Sequence, residues 1–204
     1  IIVGGRCAGA SLAMLLGRKG LNVLMLDAAE FPSDKITSTH LIWQTGTACL
    51  KRWGLLDKLE ATNCPSHNSY LLDLGGLELR GGVRPNKDKM TLSYAPRRHV
   101  IDTLLIDEAK SANVEFLDNC RVLDLLKEDG RIIGLRYRNK QGETVETLAN
   151  IVVGADGIKS TVAELAGAET YNYREKSEQI FFSYFKGTDF PEVEFYSRPG
   201  RMGF

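Results

Sequence analysis

Gly4-Gly5-Arg6-Cys7-Ala8-Gly9 is a glycine-rich turn set between an apolar run, Ile1-Ile2-Val3, and a helical pattern. A turn of this kind lets backbone N–H groups approach a pyrophosphate at the open N-terminus of a helix. Gly4 would permit the tight turn and Gly9 the close packing of helix on strand. The middle position of the G-x-G-x-x-G fingerprint is held by Arg6, and two orientations are open for it. Its guanidinium either reaches over a pyrophosphate, replacing close backbone approach with charge, or points to solvent. Asp27 follows Gly4 by 23 residues and closes the next apolar run, where a carboxylate accepts hydrogen bonds from a ribose 2′-OH. The same carboxylate repels a 2′-phosphate, which disfavours NADP at this site and leaves FAD and NAD. The plainer alternative is an ordinary tight turn between strand and helix.

These residues need a particular frame. Ile1–Val3 reads as a buried strand, Ala8–Lys19 as a helix stopped by Gly20, and Leu21–Leu26 as a second strand. Together they make a βαβ unit, which implies parallel strands and a right-handed crossover. In the helix, Ala8, Gly9, Ala10 and Ala13 share the buried side with Leu12, Leu15 and Leu16. A polar loop from Ser33 to His40 precedes helical patterns at Thr47–Trp53 and Leu55–Ala61. Gly75-Gly76 turns a hairpin between Tyr70–Leu74 and Leu77–Leu79. A helix over Arg98–Ser111 carries Ile101, Leu104, Leu105 and Ala109 on one face. Val114–Phe116 is a short strand, and residues 121–150 form a three-stranded meander with turns at Glu128-Asp129-Gly130 and Asn139–Gly142. Ile151–Gly154 reads as a central strand covered on both faces, and a helix over Lys159–Ala166 ends at Gly167. The tail alternates, with Phe181, Ser183 and Phe185 on one side and Phe182 and Tyr184 on the other.

The chain has 204 residues, 43% of them hydrophobic and 25% charged, which is ordinary globular usage and argues against disorder. Lysine plus arginine and aspartate plus glutamate each total 26, so the formal charge is zero. That balance argues against a general nucleic-acid or membrane-surface binder, while leaving room for a local anion site. Cys7, Cys49, Cys64 and Cys120 show no C-x-x-C spacing, and His40, His67 and His99 are equally scattered. A disulfide framework or zinc site is not expected, and a reducing compartment is the plainer reading. The charge-free stretch Cys7–Gly17 is too short to span a bilayer. With no signal peptide apparent, the expectation is a soluble, cytoplasmic protein.

Three segments resemble the FAD-dependent monooxygenases of the para-hydroxybenzoate hydroxylase fold, a superfamily that includes geranylgeranyl reductases and flavin halogenases. They are Ile1–Asp27 with its Gly-Arg-Cys-Ala-Gly variant, Arg98-x-x-Ile101-Asp102-x-x-Leu105-x-x-x-Ala109, and Gly154-Ala155-Asp156-Gly157-x-x-Ser160-x-Val162. The resemblance implies an α/β fold: a Rossmann-like FAD-binding domain with a β-meander, interleaved with part of an antiparallel β-sheet substrate domain. The FAD-binding domain would take residues 1–66 and 96–170, and the substrate domain 67–95 and 171–204. In the site so implied, Gly4, Gly5, Ala8 and Gly9 line the pyrophosphate turn, Arg6 stands among them, and Asp27 holds the adenosine ribose. Arg98 reaches the phosphate–ribityl region, Asp156 and Gly157 lie near the ribityl and phosphate groups, and Val122 offers its backbone to adenine. Ser38, Thr39 and His40 pass close to the isoalloxazine.

Each assignment has a plainer counterpart. Arg98 beside Arg97 could be a solvated pair, although a cation at a helix start opposes the dipole and so favours a functional reason. Asp156-Gly157 could be a turn before a helix N-cap. His40 fits a structural hydrogen-bonder better than a catalyst, and the aromatics at 181–185 fit sheet core better than a substrate wall. Cys7 near a helix N-terminus could have a lowered pKa, but no partner motif supports reactivity.

The resemblance further implies an oxidoreductase that hydroxylates a small organic, aromatic substrate with O2 and with NAD(P)H as transient reductant. No second glycine fingerprint is present for that reductant, and no residue stands out as general acid or base. The rivals are a geranylgeranyl-reductase-like enzyme and a truncated, non-catalytic nucleotide-binding module. Two departures bear on this choice. Ala163 stands where the pattern often has arginine after Val162, and the later Gly-Asp motif does not occur. The second, together with a start inside an apolar run and an end at Gly203-Phe204 with no closing helix, leads us to expect a fragment of a longer chain.

Overall fold

The computed structural model describes residues 1–35, 38, 40–174, 180–184, 187 and 192–204. The chain divides into two compact units, one of residues 1–38 and 97–172, the other of residues 39–96 and 173–204. In chain order, the first unit opens with β1 (Ile2–Val3), α1 (Cys7–Gly17) and β2 (Leu24–Leu26). The second takes over with α2 (Gln44–Arg52), α3 (Leu56–Glu60), β3 (Ser66–His67), β4 (Ser69–Asp73), β5 (Glu78–Gly82) and β6 (Ser93–Tyr94). The first resumes with α4 (Arg98–Ser111), β7 (Glu115–Leu117), β8 (Arg121–Glu128), β9 (Arg131–Arg138), β10 (Thr144–Leu148), β11 (Val153–Gly154) and α5 (Thr161–Ala166). The second closes with β12 (Val193–Arg198) and β13 (Arg201–Gly203).

The sequence puts the first domain break near 66, whereas contacts put it at 38. The reason is local pairing: the Ile42 N–H donates to the Tyr94 carbonyl at 2.7 Å, and β3 pairs with β6, which draws residues 39–66 into the second unit.

In the first unit β1 runs parallel to both β2 and β11, and β2 parallel to β7, giving the order β11-β1-β2-β7. Helix α1 contains no β-branched residue, so its side chains keep their rotamer freedom and its backbone meets no crowding from branched neighbours. It buries Gly9, Ala10, Ala13 and Met14; Met14 belongs to that face, and Ala8 is exposed. Near its end, a Cβ on Gly17 would lie 2.5 Å from the Ala112 carbonyl oxygen and 2.9 Å from Val114 Cγ2, so this glycine brings α1 close to the end of α4.

The meander forms as expected, and Asp129 and Gly130 both take positive φ (47° and 78°), the requirement of a tight hairpin turn. Its apolar side (Val122, Leu125, Leu135 and Tyr137) packs with Val3, Leu26 and Val162, joining the meander to the parallel sheet and to α5. Ile151–Gly154 departs from expectation. Only Val153–Gly154 is strand, β11 stands at the end of its sheet, and Ile151 is exposed. An apolar run does not by itself supply a neighbour on both sides.

The second unit's sheet, β13-β12-β4-β5, is antiparallel within its two hairpins and parallel where β12 meets β4. One face stacks Trp43 on Tyr70 (5.4 Å) and Tyr70 on Phe195 (6.4 Å). Elsewhere in the unit Arg198 pairs with Asp73 at 2.8 Å and Arg80 with Glu192. The alternating tail is not a strand at 181–184, where Phe181 is exposed, and Phe185 lies outside the described residues. Alternation permits a strand, but ladder partners decide it. The expectation of sheet core there is therefore overturned for Phe181–Tyr184.

Candidate cofactor site

Gly4, Gly5 and Asp27 follow directly on the carboxyl ends of β1 and β2, and the Asp156 turn follows β11 beside them. The Gly4 N–H donates to the Leu26 carbonyl at 2.7 Å, and Gly4 takes φ +108°, which favours glycine. A Cβ on Gly4 would strike the Ala155 carbonyl oxygen and lie 2.9 Å from the Asp156 nitrogen. One on Gly9 would strike the Gly4 carbonyl oxygen and lie 3.2 Å from Ile2 Cγ2. One on Gly5 would lie 2.8 Å from Phe116 Cε2. Packing alone therefore requires glycine at these three positions, and their lack of side chains leaves bare backbone beside the start of α1. That helix begins at Cys7 with no side-chain cap, so its first N–H groups have no side-chain acceptor and suit an anionic group.

Asp27 braces the turn. Its Oδ2 accepts the Gly5 N–H at 2.7 Å and its Oδ1 accepts the Ala29 N–H at 2.8 Å. Each carboxylate oxygen has a further lone pair, so a ribose hydroxyl could be received without breaking either bond. Asp156 is used in a similar way: Oδ1 accepts the Ser160 hydroxyl at 2.5 Å and Oδ2 the Val162 N–H at 3.1 Å. Ser160 in turn caps α5 by accepting the Ala163 N–H at 3.0 Å. The turn-and-cap arrangement is thus real, and it fixes Asp156 against Gly4.

Arg6 takes an arrangement not foreseen from the sequence. Its Nη1 donates to Asp102 Oδ2 at 2.7 Å, its Nη2 to Ser33 Oγ at 3.0 Å, and its guanidinium lies over the Phe31 ring at 5.0 Å. Asp102 is fully buried and also accepts from Arg98 Nη2 at 3.1 Å and from the Cys7 thiol at 3.2 Å. The cation at the start of α4 is therefore offset one turn later by its own helix. Atoms packed around its sulfur, and then the charge of Asp102, push the Cys7 thiol up to about 11. The lowering that a helix N-terminus would bring is overturned, because the packing around the sulfur and a neighbouring carboxylate outweigh the dipole.

A second clasp lies beside this one. Arg97 donates through Nε to Asp34 Oδ2 at 3.0 Å, and His99 Nδ1 lies 3.7 Å from the same oxygen. The Arg97 hydrogen bonds hold the Asp34 carboxyl down to about 2, against an ordinary 3.8. Because the folded pKa lies below the unfolded one, this clasp stabilises fully above about pH 4 and is lost as pH falls towards about 2. Asp34→Asn is expected to flatten the acid limb of the stability curve in that window and leave its slope above about pH 5 unchanged. Denaturant midpoints taken across the range check this.

The remaining candidates are spread more widely. Val122 buries its side chain in the core cluster, and its backbone belongs to β8, the end strand of the meander. Ala8 and Gly157 are exposed. Thr39 lies outside the described residues, and His40 belongs to the second unit, where its Nε2 meets the Tyr184 hydroxyl at 2.6 Å. Sequence reasoning gave no role to Asp102 or Ser33. The available signal was an aspartate on the apolar face of a helix, four residues after an arginine. Among the described residues no group of three or more His, Cys, Asp or Glu side chains could hold a metal ion, and no helix is long and apolar enough to cross a membrane.

A parallel sheet whose first crossover turn is built on three glycines, with an uncapped helix start and an acidic residue just past the neighbouring strand, defines a nucleotide-cofactor-binding α/β protein. The chain belongs to the FAD binding domain family, which it matches over residues 1–196. It is 31% identical over 171 residues to 6-methylpretetramide 4-monooxygenase of Streptomyces rimosus, covering 81% of this chain and 40% of that protein. It is 27% identical over 176 residues to digeranylgeranylglycerophospholipid reductase of Methanosarcina mazei, covering 83% and 40%. Among solved structures it is similar to the flavin-dependent halogenase CmlS, with a TM-score of 0.71 at 25% identity, covering 81% of this chain and 30% of that one. The chain spans less than half the length of the curated relatives it matches.

Proposed function

We propose that this chain forms the FAD-binding part of a flavin-dependent monooxygenase that uses NAD(P)H and O2 to hydroxylate a small aromatic substrate. The observation that carries the reading is the backbone cradle of Gly4, Gly5 and Gly9, braced by Asp27 and walled by the Asp156 turn. These residues fit a dinucleotide: the cradle gives close access to backbone, the uncapped start of α1 supplies N–H groups, Asp27 an acceptor for ribose hydroxyls, and Arg98 a cation. When bound, FAD supplies the redox chemistry, in which NAD(P)H provides electrons and O2 the transferred oxygen atom. The protein's task in the cradle is binding and orientation. Gly4 and Gly9 admit the diphosphate, Asp27 fixes the adenosine end, Val122 offers backbone near adenine, and Asp156 with Gly157 bounds the ribityl side. Residues 67–95 and 171–204 contribute to the substrate region.

The match to the Methanosarcina reductase favours a second reading, saturation of an isoprenoid chain. Oxygen uptake in step with NAD(P)H consumption and a hydroxylated product supports the monooxygenase; a saturated product formed without oxygen supports the reductase. For the site itself, Asp156→Ala is expected to lower FAD retention on dialysis by about tenfold, since it removes a carboxylate and unpins the turn. Ser160→Ala, which loosens the same turn but keeps the carboxylate, should cost about 1 kcal/mol of stability and less of the flavin. Full flavin occupancy in Asp156→Ala removes Asp156 from the site.

A further inference from the structure

Asp102 accepts hydrogen bonds from three side chains at once. Arg6 Nη1 lies 2.7 Å from Oδ2, while Arg98 Nε (3.3 Å), Arg98 Nη2 (3.1 Å) and the Cys7 sulfur (3.2 Å) share Oδ1. The carboxylate has no exposed surface, and the two guanidinium groups keep 22% and 18% of theirs. Two cations on one anion leave a surplus positive charge at the start of α1 and α4. The two arginines differ in what they have left to give. Arg6 is further committed to the Ser33 carbonyl (3.3 Å) and hydroxyl (3.0 Å). Arg98 directs only its Nε and Nη2 to Asp102 and keeps the donors of Nη1.

We propose that Asp102 is a positioning residue for cofactor binding: it turns Arg6 away from the glycine cradle to clasp the loop after β2, and fixes Arg98 as the cation presented to a diphosphate. The inference rests on the FAD reading above. It explains how the fingerprint tolerates arginine at its middle position. With φ −94° and ψ −164° the Arg6 backbone is extended and needs no glycine, and its side chain is drawn out of the cradle by a buried charge. Asp102 touches no cofactor itself. Its effect on binding runs through Arg98.

The test is a double-mutant cycle on the full-length protein, deflavinated and titrated with FAD by flavin fluorescence. Asp102→Asn should weaken FAD binding about tenfold or more, a charge-assisted anchor being lost. In an Arg98→Ala background the same change should cost less than about threefold, because the residue it positions is gone. A second readout comes from alkylation of Cys7 against pH, followed on its own peptide. Its midpoint should fall by at least about one pH unit in Asp102→Asn, since a carboxylate that opposes thiolate formation has been removed. Should Asp102→Asn fail to fold, the double variant Arg6→Gln/Asp102→Asn, which leaves no surplus buried charge between the two, is expected to show the same loss of FAD affinity. Equal losses in both Arg98 backgrounds, or an unmoved Cys7 midpoint, overturn the proposal. An unsubstituted protein that takes up no FAD overturns the reading beneath it instead.

Discussion

Gly9→Ala is expected to cost about 3 kcal/mol of stability, at the upper end of what overpacking costs. The added methyl would collide with the Gly4 carbonyl oxygen and press on Ile2 Cγ2 at 3.2 Å. Neither neighbour can yield cheaply. The carbonyl is backbone, and Ile2 is buried in β1 between β2 and β11. For a chain of this size the loss corresponds to a fall in melting temperature of roughly 6–12 °C. The damage should not stay within stability, because the shift that relieves the clash moves α1 away from β1 and widens the cradle. FAD retention should therefore fall with the melting temperature. Gly81→Ala is the control: a Cβ there meets nothing within 4 Å, and the change should stay within about 0.5 kcal/mol. Calorimetry on the two variants, with and without FAD, reads both effects. An unaltered melting temperature in Gly9→Ala would falsify the close approach of helix and strand.

Asp102→Ala is expected to cost about 3–5 kcal/mol, because it leaves two guanidinium groups facing one another around a partly dry hole. Burial, not bond length, sets this figure. Arg136 and Glu146 also approach to 2.7 Å, yet 54% of the glutamate side chain is exposed. Water and salt screen that pair, so Glu146→Ala should leave the melting temperature unchanged within error. Out of a total stability of about 5–15 kcal/mol, the Asp102 loss is large enough to threaten folding. Adding FAD at about 100 times its Kd returns about 2.7 kcal/mol to a protein that binds it normally. The Asp102→Ala protein should recover less, since Arg98 is released at the same time. Urea midpoints with and without FAD separate the two contributions. Equal recovery in both proteins would confine Asp102 to a structural role.

Much of the candidate site was legible because its parts are local. The Gly4–Gly9 turn, the helix after it and Asp27 fall within one short βαβ unit, and a fingerprint of glycines reports a backbone that cannot tolerate side chains wherever it occurs. The Arg98–Ser111 helix was legible to its boundaries, and the Asp129-Gly130 turn follows from the positive φ that both positions need. Other features depend on partners distant in sequence. Ile151–Gly154 has the composition of a central strand, but sheet order places it at an end. Phe181–Tyr184 alternates without a ladder to join. The assignment of residues 39–66 turned on the Ile42–Tyr94 pairing, which no local pattern announces.

Arg6 marks the division most clearly. The sequence alone determined that a bare turn lies between a strand and a helix and that a cation stands in it, because glycine spacing and side-chain charge are properties of single residues and their near neighbours. It also determined the acidic end of the second strand, since apolar runs and their ends are read from composition. Only the tertiary structure decided where the cation goes. Asp102 lies 96 positions away from Arg6, and a buried carboxylate captures whichever donors the packing of α1 on α4 brings within reach, a selection made by three-dimensional proximity and low local polarity.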